Sequence, residues 1–571
     1  DNIRTALRIQ RLCQRHELAV LPQLVVVLHE DAPGSVELLT QSENVIFLQD
    51  NRSRFTYEEL IERRADQEAR ALHQRYQSVS GSDIDAWQKL DTFTQASNRA
   101  VLWDIPNKLA LTAEDLNALP PAEREKVLWR LARYEHRRWN AFHFCRGWTK
   151  LDISELTPEE LQECEGAGRV IDAEGKVVFP GFIDTHIHIF QSFLKGLGAD
   201  HRLIEWLNLS ALPYGQYMTP HQHELAAQLA CMEAIKSGCT TMSEFFYTNQ
   251  DPELAHSCID GMVSTGIRSV FIRTFQDTGE EYGMPKCFLE PAGKAMKEVD
   301  ALKKAYKEND MLSIWTGPDV TWSTTKEGYQ EMLEYCLSEN VRYSMHIKET
   351  EVDNEMCGRY YGKDIVDMLE EIGFLTDKFL AVHCVNLTPH DIERFAKYGV
   401  SISHNPAPNL YLGSGIPPIP ESLATGVNVS IGTDGAASNN STDMLESMKL
   451  AALIQKGIHR DAAVISADDI IHMATAGGAK AIGMADKLGT LAAGKIADLI
   501  IFDPNHLKSA PMHDAKATVV YASSEENIDT TIVNGKVVYQ GGKFTFGIDE
   551  RSLIDEINSE LGVLKKQLAD K

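Results

Sequence analysis

The amino-acid sequence predicts an α/β protein whose main domain is a (β/α)8 TIM-type barrel, accompanied by a small β-sandwich formed from flanking segments. From about residue 166 onward, short apolar runs alternate with amphipathic helical segments, as they do in a parallel sheet or barrel. Polar residues stand where several of these runs end, and a barrel of this class carries its active site at such ends. The eight runs cover residues 182–188, 238–245, 269–274, 313–316, 342–346, 379–383, 400–404 and 427–434.

The N-terminal part of the sequence has a different character. Residues 1–57 contain two apolar runs, 25–28 and 45–48, which predict strands of a partial nucleotide-binding-like α/β region. No Gly-x-Gly-x-x-Gly loop accompanies these runs, so we do not expect NAD to bind there. Residues 58–163 are rich in Arg, Gln and Glu and are predicted to form a mostly helical module.

Two segments follow the barrel, which is predicted to span residues 164–488. Short strands in 489–545 are expected to return and complete the β-sandwich, and Asn534 followed by Gly535 between apolar runs indicates a hairpin. Residues 546–571 predict an amphipathic helix, and Lys565 and Lys566 near its end would interact favourably with the helix dipole.

Composition limits the classes of function. The chain has 571 residues, 43% of them hydrophobic, and a net charge of −26, which disfavours nucleic acid and anionic membranes as partners. No apolar run approaches the roughly 20 residues of a membrane-spanning helix. The ten cysteines include no Cys-x-x-Cys pair, so we expect neither a disulfide framework nor a thiolate zinc site, and we expect a cytoplasmic protein. The chain begins with Asp1 rather than Met, and Asp1 could be an internal residue of a longer protein.

Histidines and one aspartate are the candidate metal ligands. His186 and His188 alternate along one predicted strand, so both imidazoles project from the same face. Such a pair alone is more often incidental, but His346, His383 and Asp434 each stand at the end of another apolar run. The five residues fall on strands one, five, six and eight of the predicted barrel. Imidazoles with one carboxylate suit zinc or iron(II), and the shortage of clustered oxygen ligands argues against calcium.

The same residues belong to a series of motifs that runs in order through the barrel and beyond it. The motifs are Phe-Pro-Gly-Phe-Ile-Asp-Thr-His-Ile-His at 179–188, Glu-Trp-Leu at 205–207, Glu-Ala-Ile-Lys-Ser-Gly-Cys-Thr-Thr at 233–241, His-Ile-Lys-Glu at 346–349, Val-His-Cys-Val-Asn at 382–386, Ser-His-Asn-Pro at 403–406, Gly-Thr-Asp-Gly-Ala-Ala-Ser-Asn at 432–439 and Leu-Gly-Thr-Leu-Ala-Ala-Gly-Lys-Ile-Ala-Asp at 488–498. With them, residues 166–545 resemble the amidohydrolase superfamily, in its branch of cytosine, guanine, S-adenosylhomocysteine and triazine deaminases and hydrolases.

This resemblance implies a site and a chemistry. Four side chains would hold one divalent metal per chain, zinc in the first place with iron as the alternative, and they are His186, His188, His346 and Asp434. The resemblance further implies that His383 orients a water molecule and helps to take its proton, that Asp434 shares in this proton transfer, and that Glu349 protonates a ring nitrogen of the substrate. For Glu349 the alternative is a solvated loop carboxylate, and for His383 a satisfied core histidine.

The sequence indicates the substrate-binding residues less clearly than the metal ligands. Gln191 and Trp206, with the neighbouring phenylalanines, could form an aromatic wall for a planar heterocycle or could merely pack helices. Arg273 lies nearer than Arg268 to the C-terminal end of its strand and is a candidate substrate anchor, with a structural role as the alternative. Asn409 is a further candidate for the binding site.

The helical module carries a second resemblance. Residues 131–140 and 146–148, with upstream residues between 73 and 99, resemble the ryanodine-receptor (RyR) repeat module. The resemblance implies a sensor for a nucleotide-derived activator, whose candidate residues are Glu135, His136, Arg138 and Trp139; the alternative is that they cap and pack helices. Deaminases of the amidohydrolase branch carry several strands before the segment that matches residues 170–172. Either another element therefore completes the β-sandwich, or sequence is missing here.

Three functions remain in view. The first is a metal-dependent aminohydrolase that deaminates a purine-type nucleobase, nucleoside or nucleotide, controlled by the N-terminal sensor as a nucleotide-depleting antiviral defence effector. The second is a housekeeping aminohydrolase or chlorohydrolase that acts on triazine, pterin or S-adenosylhomocysteine-like compounds. The third is a catalytically silent barrel that serves as a scaffold. In each case we expect a homo-oligomer.

Overall fold

The computed structural model describes residues 175–492 and 494–570, Ile171, Ala173 and the backbone of two N-terminal strands. The chain divides into two compact units, residues 1–146 and 147–571. In the first unit, strands β1 (Leu24–Leu28) and β2 (Val45–Gln49) pair in parallel, at the two positions where the sequence predicts strands. The helical module predicted over 58–163, with Glu135, His136, Arg138 and Trp139, lies outside the described residues.

The second unit contains a parallel barrel and an antiparallel sheet. Its strands are β3 (Val177–Pro180), β4 (Phe182–Ile187), β5 (Cys239–Phe246), β6 (Arg268–Phe275), β7 (Leu312–Pro318), β8 (Tyr343–Ile347), β9 (Phe379–His383), β10 (Ser401–His404), β11 (Asn428–Ile431), β12 (Leu499–Phe502), β13 (Ile528–Val533), β14 (Lys536–Gln540) and β15 (Lys543–Phe544).

Strands β4 to β11 pair in sequence order, each parallel to the next, and helices separate them along the chain. This arrangement confirms the (β/α)8 prediction. All eight residues of β5 and of β6 are buried, because barrel strands face packed side chains within the barrel and helices outside it.

Helices of the described residues form the outer layer and the C-terminal end. They are α1 (Leu203–Leu209), α2 (Ala211–Gly215), α3 (Pro220–Lys236), α4 (Pro252–Ser264), α5 (Ala292–Ala305), α6 (Lys326–Ser338), α7 (Glu351–Tyr361), α8 (Ile365–Glu371), α9 (Pro389–Tyr398), α10 (Pro406–Tyr411), α11 (Ile419–Thr425), α12 (Met444–His459), α13 (Ala467–His472), α14 (Gly478–Ala481), α15 (Ala515–Tyr521) and α16 (Glu550–Ala569). None of these helices is both long and apolar enough to cross a membrane.

The barrel closes between its first and last strands through side-chain and backbone hydrogen bonds. The Thr185 hydroxyl on β4 donates to the carbonyl oxygen of Ile431 at 3.0 Å. Asp184 accepts hydrogen bonds from the backbone N–H and the hydroxyl of Thr433, beyond the end of β11. The backbone N–H of Asp434 then donates to the His186 carbonyl oxygen at 2.8 Å. Closure therefore sets Asp434 directly beside the histidines of β4.

The segments that flank the barrel meet in one antiparallel sheet, with the order β15-β14-β13-β12-β3. Asn534 and Gly535, both with positive φ, connect β13 to β14, which is the hairpin that the sequence predicts. Arg268 at the start of β6 forms a buried ion pair with Asp498, just before β12, at 2.9 Å. This pair joins the barrel to the sheet.

Candidate active site

Five side chains from four barrel strands converge at the C-terminal mouth of the barrel. His186 lies on β4 and His188 directly follows it, His346 lies near the end of β8, and His383 ends β9, whereas Asp434 stands three residues beyond β11. Two overlapping groups, His186 with His188 and Asp434, and His186 with His346 and His383, each have all their ligand atoms within 4.8 Å of one another.

The imidazole nitrogens and the carboxylate oxygen of this cluster lie close to one another. Nε2 of His188 lies 3.1 Å from Nε2 of His346. Oδ1 of Asp434 lies 3.6 Å from Nε2 of His186 and 3.3 Å from Nε2 of His188. The four side chains that the sequence assigns to the metal are therefore brought together around one centre.

The histidine tautomers are set by backbone carbonyls. Nδ1 of His188 lies 2.8 Å from the Phe245 carbonyl oxygen, and Nδ1 of His346 lies 2.7 Å from that of Asp319. Since a carbonyl oxygen only accepts, each Nδ1 carries the proton and each Nε2 presents a lone pair to the cluster.

His186 supplies the test of whether a metal fits. It is fully buried, and neither ring nitrogen has a hydrogen-bond partner among the described residues. An imidazole left unpartnered in the interior is costly, and a cation at the centre of the cluster would satisfy it. The donor set of three imidazoles and one carboxylate fits a divalent metal of the zinc or iron type.

Protonation states agree with that fit. Burial lowers the pKa of His186 and of His188 to about 3, and it lowers the pKa of His346 well below its usual value. Burial alone would raise the pKa of Asp434, but the adjacent ring of His186 and the other nearby imidazoles hold it below its usual value. The cluster therefore presents neutral imidazoles and an ionised carboxylate at neutral pH.

His383 faces two carboxyl groups. Its Nε2 lies 3.6 Å from Oε2 of Glu349 and 3.8 Å from Oδ2 of Asp434. Its Nδ1 lies 2.9 Å from Oδ1 of Asn409, which accepts a hydrogen bond from the Nδ1–H. Asn409 thus orients His383 and is absent from the lining of the cavity described below, where the sequence suggested a binding residue.

Glu349 follows β8 and precedes α7 in a fixed local structure. Its backbone N–H donates to Oδ2 of Asp353, which also accepts from the N–H of Thr350 in the capping box of α7. Burial raises the pKa of Glu349 well above its usual value, and the charges of Asp353 and Asp434 raise it further. The raised pKa favours the protonated carboxyl, which is the form that can donate a proton.

The backbone at these positions is strained. Lys348, His383 and Asp434 have φ values of 50°, 68° and 63°, in the left-handed region that residues other than glycine seldom adopt. Each stands where a strand ends and the chain turns over the mouth. Strain of this kind is common where a fold aims functional side chains.

A cavity opens above the cluster, with about 750 Å³ of empty space when the open solvent at its mouth is included. Its wall is largely apolar, and the nonpolar and aromatic residues are Leu203, Trp206, Leu207, Leu212, Tyr247, Tyr282, Met284, Val320, Trp322 and Leu412. The polar residues at the same cavity are His188, Gln191, Asp319, Thr321, His346, Glu349, Asp353, His383, Asp434 and Ser438. The space suits a planar heterocycle with a substituent.

Gln191 and Trp206, which the sequence offers as candidate binding residues, both line the cavity. Nε2 of Gln191 donates to the Tyr247 hydroxyl at 3.1 Å, and Nε1 of Trp206 donates to the Ala437 carbonyl oxygen at 3.2 Å. Gly435 abuts the Gln191 side chain, and a Cβ at that position would collide with it. Both side chains are therefore held in place at the wall.

Arg273 is not brought to the cavity, contrary to its prediction as a substrate anchor. Its guanidinium is fully buried and forms ion pairs with Glu290 and with Glu298 of α5. It also donates to the Thr274 carbonyl oxygen. The side chain thus lies between β6 and the helical layer, where it neutralises two carboxylates and joins strand to helix.

Asp319 and Tyr247 line the cavity and were not predicted from the sequence. Asp319 directly follows β7, the fourth barrel strand, and burial raises its pKa to about 7. The signal that could have found it is a polar residue at the end of an apolar run, the same signal that marks His346 and His383. Tyr247 follows β5 in the same way.

Comparisons with known proteins agree with the fold. The Amidohydrolase family profile matches residues 177–538. A 5′-deoxyadenosine deaminase of Methanopyrus kandleri is 33% identical over 404 residues, 70% of this chain and 89% of that protein. A 5-methylthioadenosine/S-adenosylhomocysteine deaminase of Bacillus cytotoxicus is 33% identical over 411 residues, 71% of this chain and 91% of that protein. The structure of an adenosine deaminase from Xanthomonas campestris with bound zinc shares the fold, with a TM-score of 0.64 and 24% identity, over 70% of this chain and 87% of that one.

Proposed function

Because the chain belongs to the amidohydrolase family and is a hydrolytic deaminase, we propose that it removes the 6-amino group of an adenine nucleoside and releases it as ammonia. The observation that carries this proposal is the convergence of Glu349, His383 and Asp434 at one end of the cavity, with one group able to donate a proton and two able to accept one. Both similar relatives are named as deaminases of adenine nucleosides.

We propose zinc as the metal, with iron as the alternative. His186, His188, His346 and Asp434 would hold it, and their neutral imidazoles and ionised carboxylate support this assignment. A divalent metal there would lower the pKa of a water molecule towards neutrality and so supply a nucleophile.

Side chains of the protein would carry out the proton transfers of the reaction. His383 and Asp434 take the proton of the attacking water, since Nε2 of His383 lies 3.8 Å from Oδ2 of Asp434 and both face the cavity. Glu349 donates its proton to the ring nitrogen next to the attacked carbon, which removes negative charge that would otherwise build up on the ring. A second proton transfer to the amino group lets ammonia leave, so that water and the amine yield the oxo product and ammonia.

The apolar wall of the cavity favours a neutral, planar substrate. Trp206 and Trp322 offer flat surfaces for a purine, and Leu207 and Met284 can accept an uncharged substituent. 5′-Deoxyadenosine and 5-methylthioadenosine, two of the compounds after which the relatives are named, carry uncharged substituents.

We also propose that the module predicted over residues 58–163 regulates the barrel through a nucleotide-derived ligand. The support for this part of the proposal is the pattern of residues 131–140 and its resemblance to the ryanodine-receptor repeat. Deletion of residues 60–150 is expected to change the response of activity to nucleotides while metal content stays the same. A deletion variant with an unchanged response would exclude this role.

The main test is ammonia release by zinc-loaded protein from adenosine, 5′-deoxyadenosine, 5′-methylthioadenosine, guanine and cytosine. Mass spectrometry should detect the gain of about one mass unit when NH2 is replaced by OH. We expect turnover of the adenine nucleosides. No release from any of them, with metal bound, would contradict the proposed function.

A further inference from the structure

Asp319 places a carboxyl group in the cavity that the proposed proton transfers do not use. The residue directly follows β7, its side chain is 8% exposed, and it belongs to the cavity lining. Among the described residues, no donor forms a hydrogen bond with this carboxyl, and Nδ1 of the neutral His346 ring lies 3.7 Å from Oδ1.

The other carboxyl groups at the cavity are engaged. Asp434 belongs to the histidine cluster, and Asp353 accepts two backbone N–H groups. Glu349 stands against His383 and Ser414. A nearly buried carboxyl without a donor is costly, so Asp319 stands out as a group that a bound ligand would satisfy.

The position of Asp319 relative to the metal cluster limits what it can touch. The His346 ring separates the two, because its Nδ1 is held by the Asp319 carbonyl oxygen while its Nε2 points to the cluster. The Asp319 carboxyl is therefore displaced from the reacting centre by about the width of one aromatic ring. A purine whose reacting carbon lies at the cluster and whose neighbouring nitrogen faces Glu349 would present its opposite edge to Asp319.

We propose that Asp319 is a specificity-determining residue that accepts a hydrogen bond from an N–H or O–H donor at that opposite edge of the substrate. This proposal rests on the proposed deaminase function. A free purine base carries a ring N–H there, and a ribonucleoside carries its 2′-hydroxyl nearby. A carboxylate accepts from either donor, and a purine without such a donor leaves it unsatisfied.

The side chain can be changed while the backbone hydrogen bond that orients the metal ligand is kept. His346 is oriented by the backbone carbonyl of Asp319, and that carbonyl persists in every substitution. Asp319→Leu removes the acceptor while the branching at Cγ is kept, and Asp319→Asn keeps an uncharged acceptor. Glu281→Gln is the matched control, since Glu281 is exposed and adjoins Tyr282 of the cavity wall.

The experiment measures kcat and KM of zinc-loaded protein with adenosine, 2′-deoxyadenosine, adenine and 9-methyladenine, together with metal content. For the compound that carries the donor, adenosine or adenine, Asp319→Leu is expected to lower kcat/KM about 10- to 100-fold, mainly through a higher KM. For 9-methyladenine, which has neither donor, kcat/KM should change by less than about threefold. A loss for adenosine but not 2′-deoxyadenosine assigns the donor to the 2′-hydroxyl, and a loss for adenine assigns it to the ring N–H. Asp319→Asn should show a smaller loss of the same pattern, and Glu281→Gln should match the wild type.

An equal loss for all four compounds, or a loss of metal, would show that Asp319 acts structurally and would overturn the proposal. If the wild type releases ammonia from none of them, the proposed function fails, and binding then decides the inference. In that case calorimetry with metal-loaded Glu349→Gln, with and without Asp319→Leu, should show weaker binding of adenosine or adenine in the double variant but unchanged binding of 9-methyladenine. Equal affinities of Glu349→Gln with and without Asp319→Leu, or no binding to either protein, would overturn the inference about Asp319.

Discussion

Replacement of Glu349 by glutamine tests the role of the proton donor. Burial and two nearby acids raise the pKa of this carboxyl well above its usual value, which favours the protonated form. Glutamine keeps the size of the side chain and can still meet Ser414, whose hydroxyl lies 3.4 Å from Oε1, but it has no acidic proton to give. We expect kcat to fall by about 10²–10⁴-fold, the usual contribution of a general acid, which corresponds to roughly 2.7–5.5 kcal/mol of activation free energy.

Two further readouts separate this loss from damage to the site. Glu349 is not one of the clustered ligands, so the variant should bind as much metal as the wild type. A general acid works only while protonated, so wild-type kcat should fall as pH rises through the pKa of Glu349, and this decline should be absent from the variant. The control is Glu351→Gln, an exposed acid two residues later on α7. Ammonia release near the wild-type rate by Glu349→Gln would refute the reasoning.

Other residues give predictions with separate measurements. Arg273→Met should lower the free energy of unfolding by about 3–5 kcal/mol in thermal or urea unfolding, because it leaves Glu290 and Glu298 with only the exposed Lys294 as a charged partner, while KM of the folded enzyme stays near the wild-type value; a raised KM with normal stability would restore Arg273 as an anchor. Asn409→Leu should lower kcat about 10- to 100-fold with metal retained, since His383 loses the acceptor for its Nδ1 proton, and an unchanged kcat would remove Asn409 from the mechanism. Burial alone would raise the pKa of Asp391, but Lys348 and backbone N–H groups hold it below its usual value of 3.8, so its stabilising effect should be complete above that pH and disappear as pH falls through the lowered pKa. Asp391→Asn should therefore unfold more easily than the wild type at pH 7 but equally easily in strong acid, and a difference that persists in acid would contradict this.

Strand positions could be predicted closely because apolar runs and turns are local features. The run 379–383 coincides with β9, and the runs 182–188 and 400–404 differ from β4 and β10 by a single residue. The last strand is the instructive exception, since it ends at Ile431 although the sequence suggests continuation to 434. The positive φ of Asp434 breaks the extended backbone there, and the apolar pattern contains no information about that turn.

Side-chain partners were harder to predict because they come from distant parts of the chain. Arg273 stands at the right end of its strand, but Glu290 and Glu298, which lie 17 and 25 residues later, hold it against the helical layer. Asn409 was expected at the binding site, and its contact with His383, 26 residues away, gives it an orienting role instead. Asp319 belongs to no motif that the sequence analysis used. The helical module and its four candidate ligand residues stay a prediction.

Titration of zinc into chelator-treated protein, with ammonia release from an adenine nucleoside as the readout, tests the central claim most directly. The cluster of His186, His188, His346 and Asp434 predicts no activity without metal and a rise that saturates at one equivalent per chain. Full activity in protein that elemental analysis shows to be free of metal, or saturation at a different stoichiometry, would contradict it.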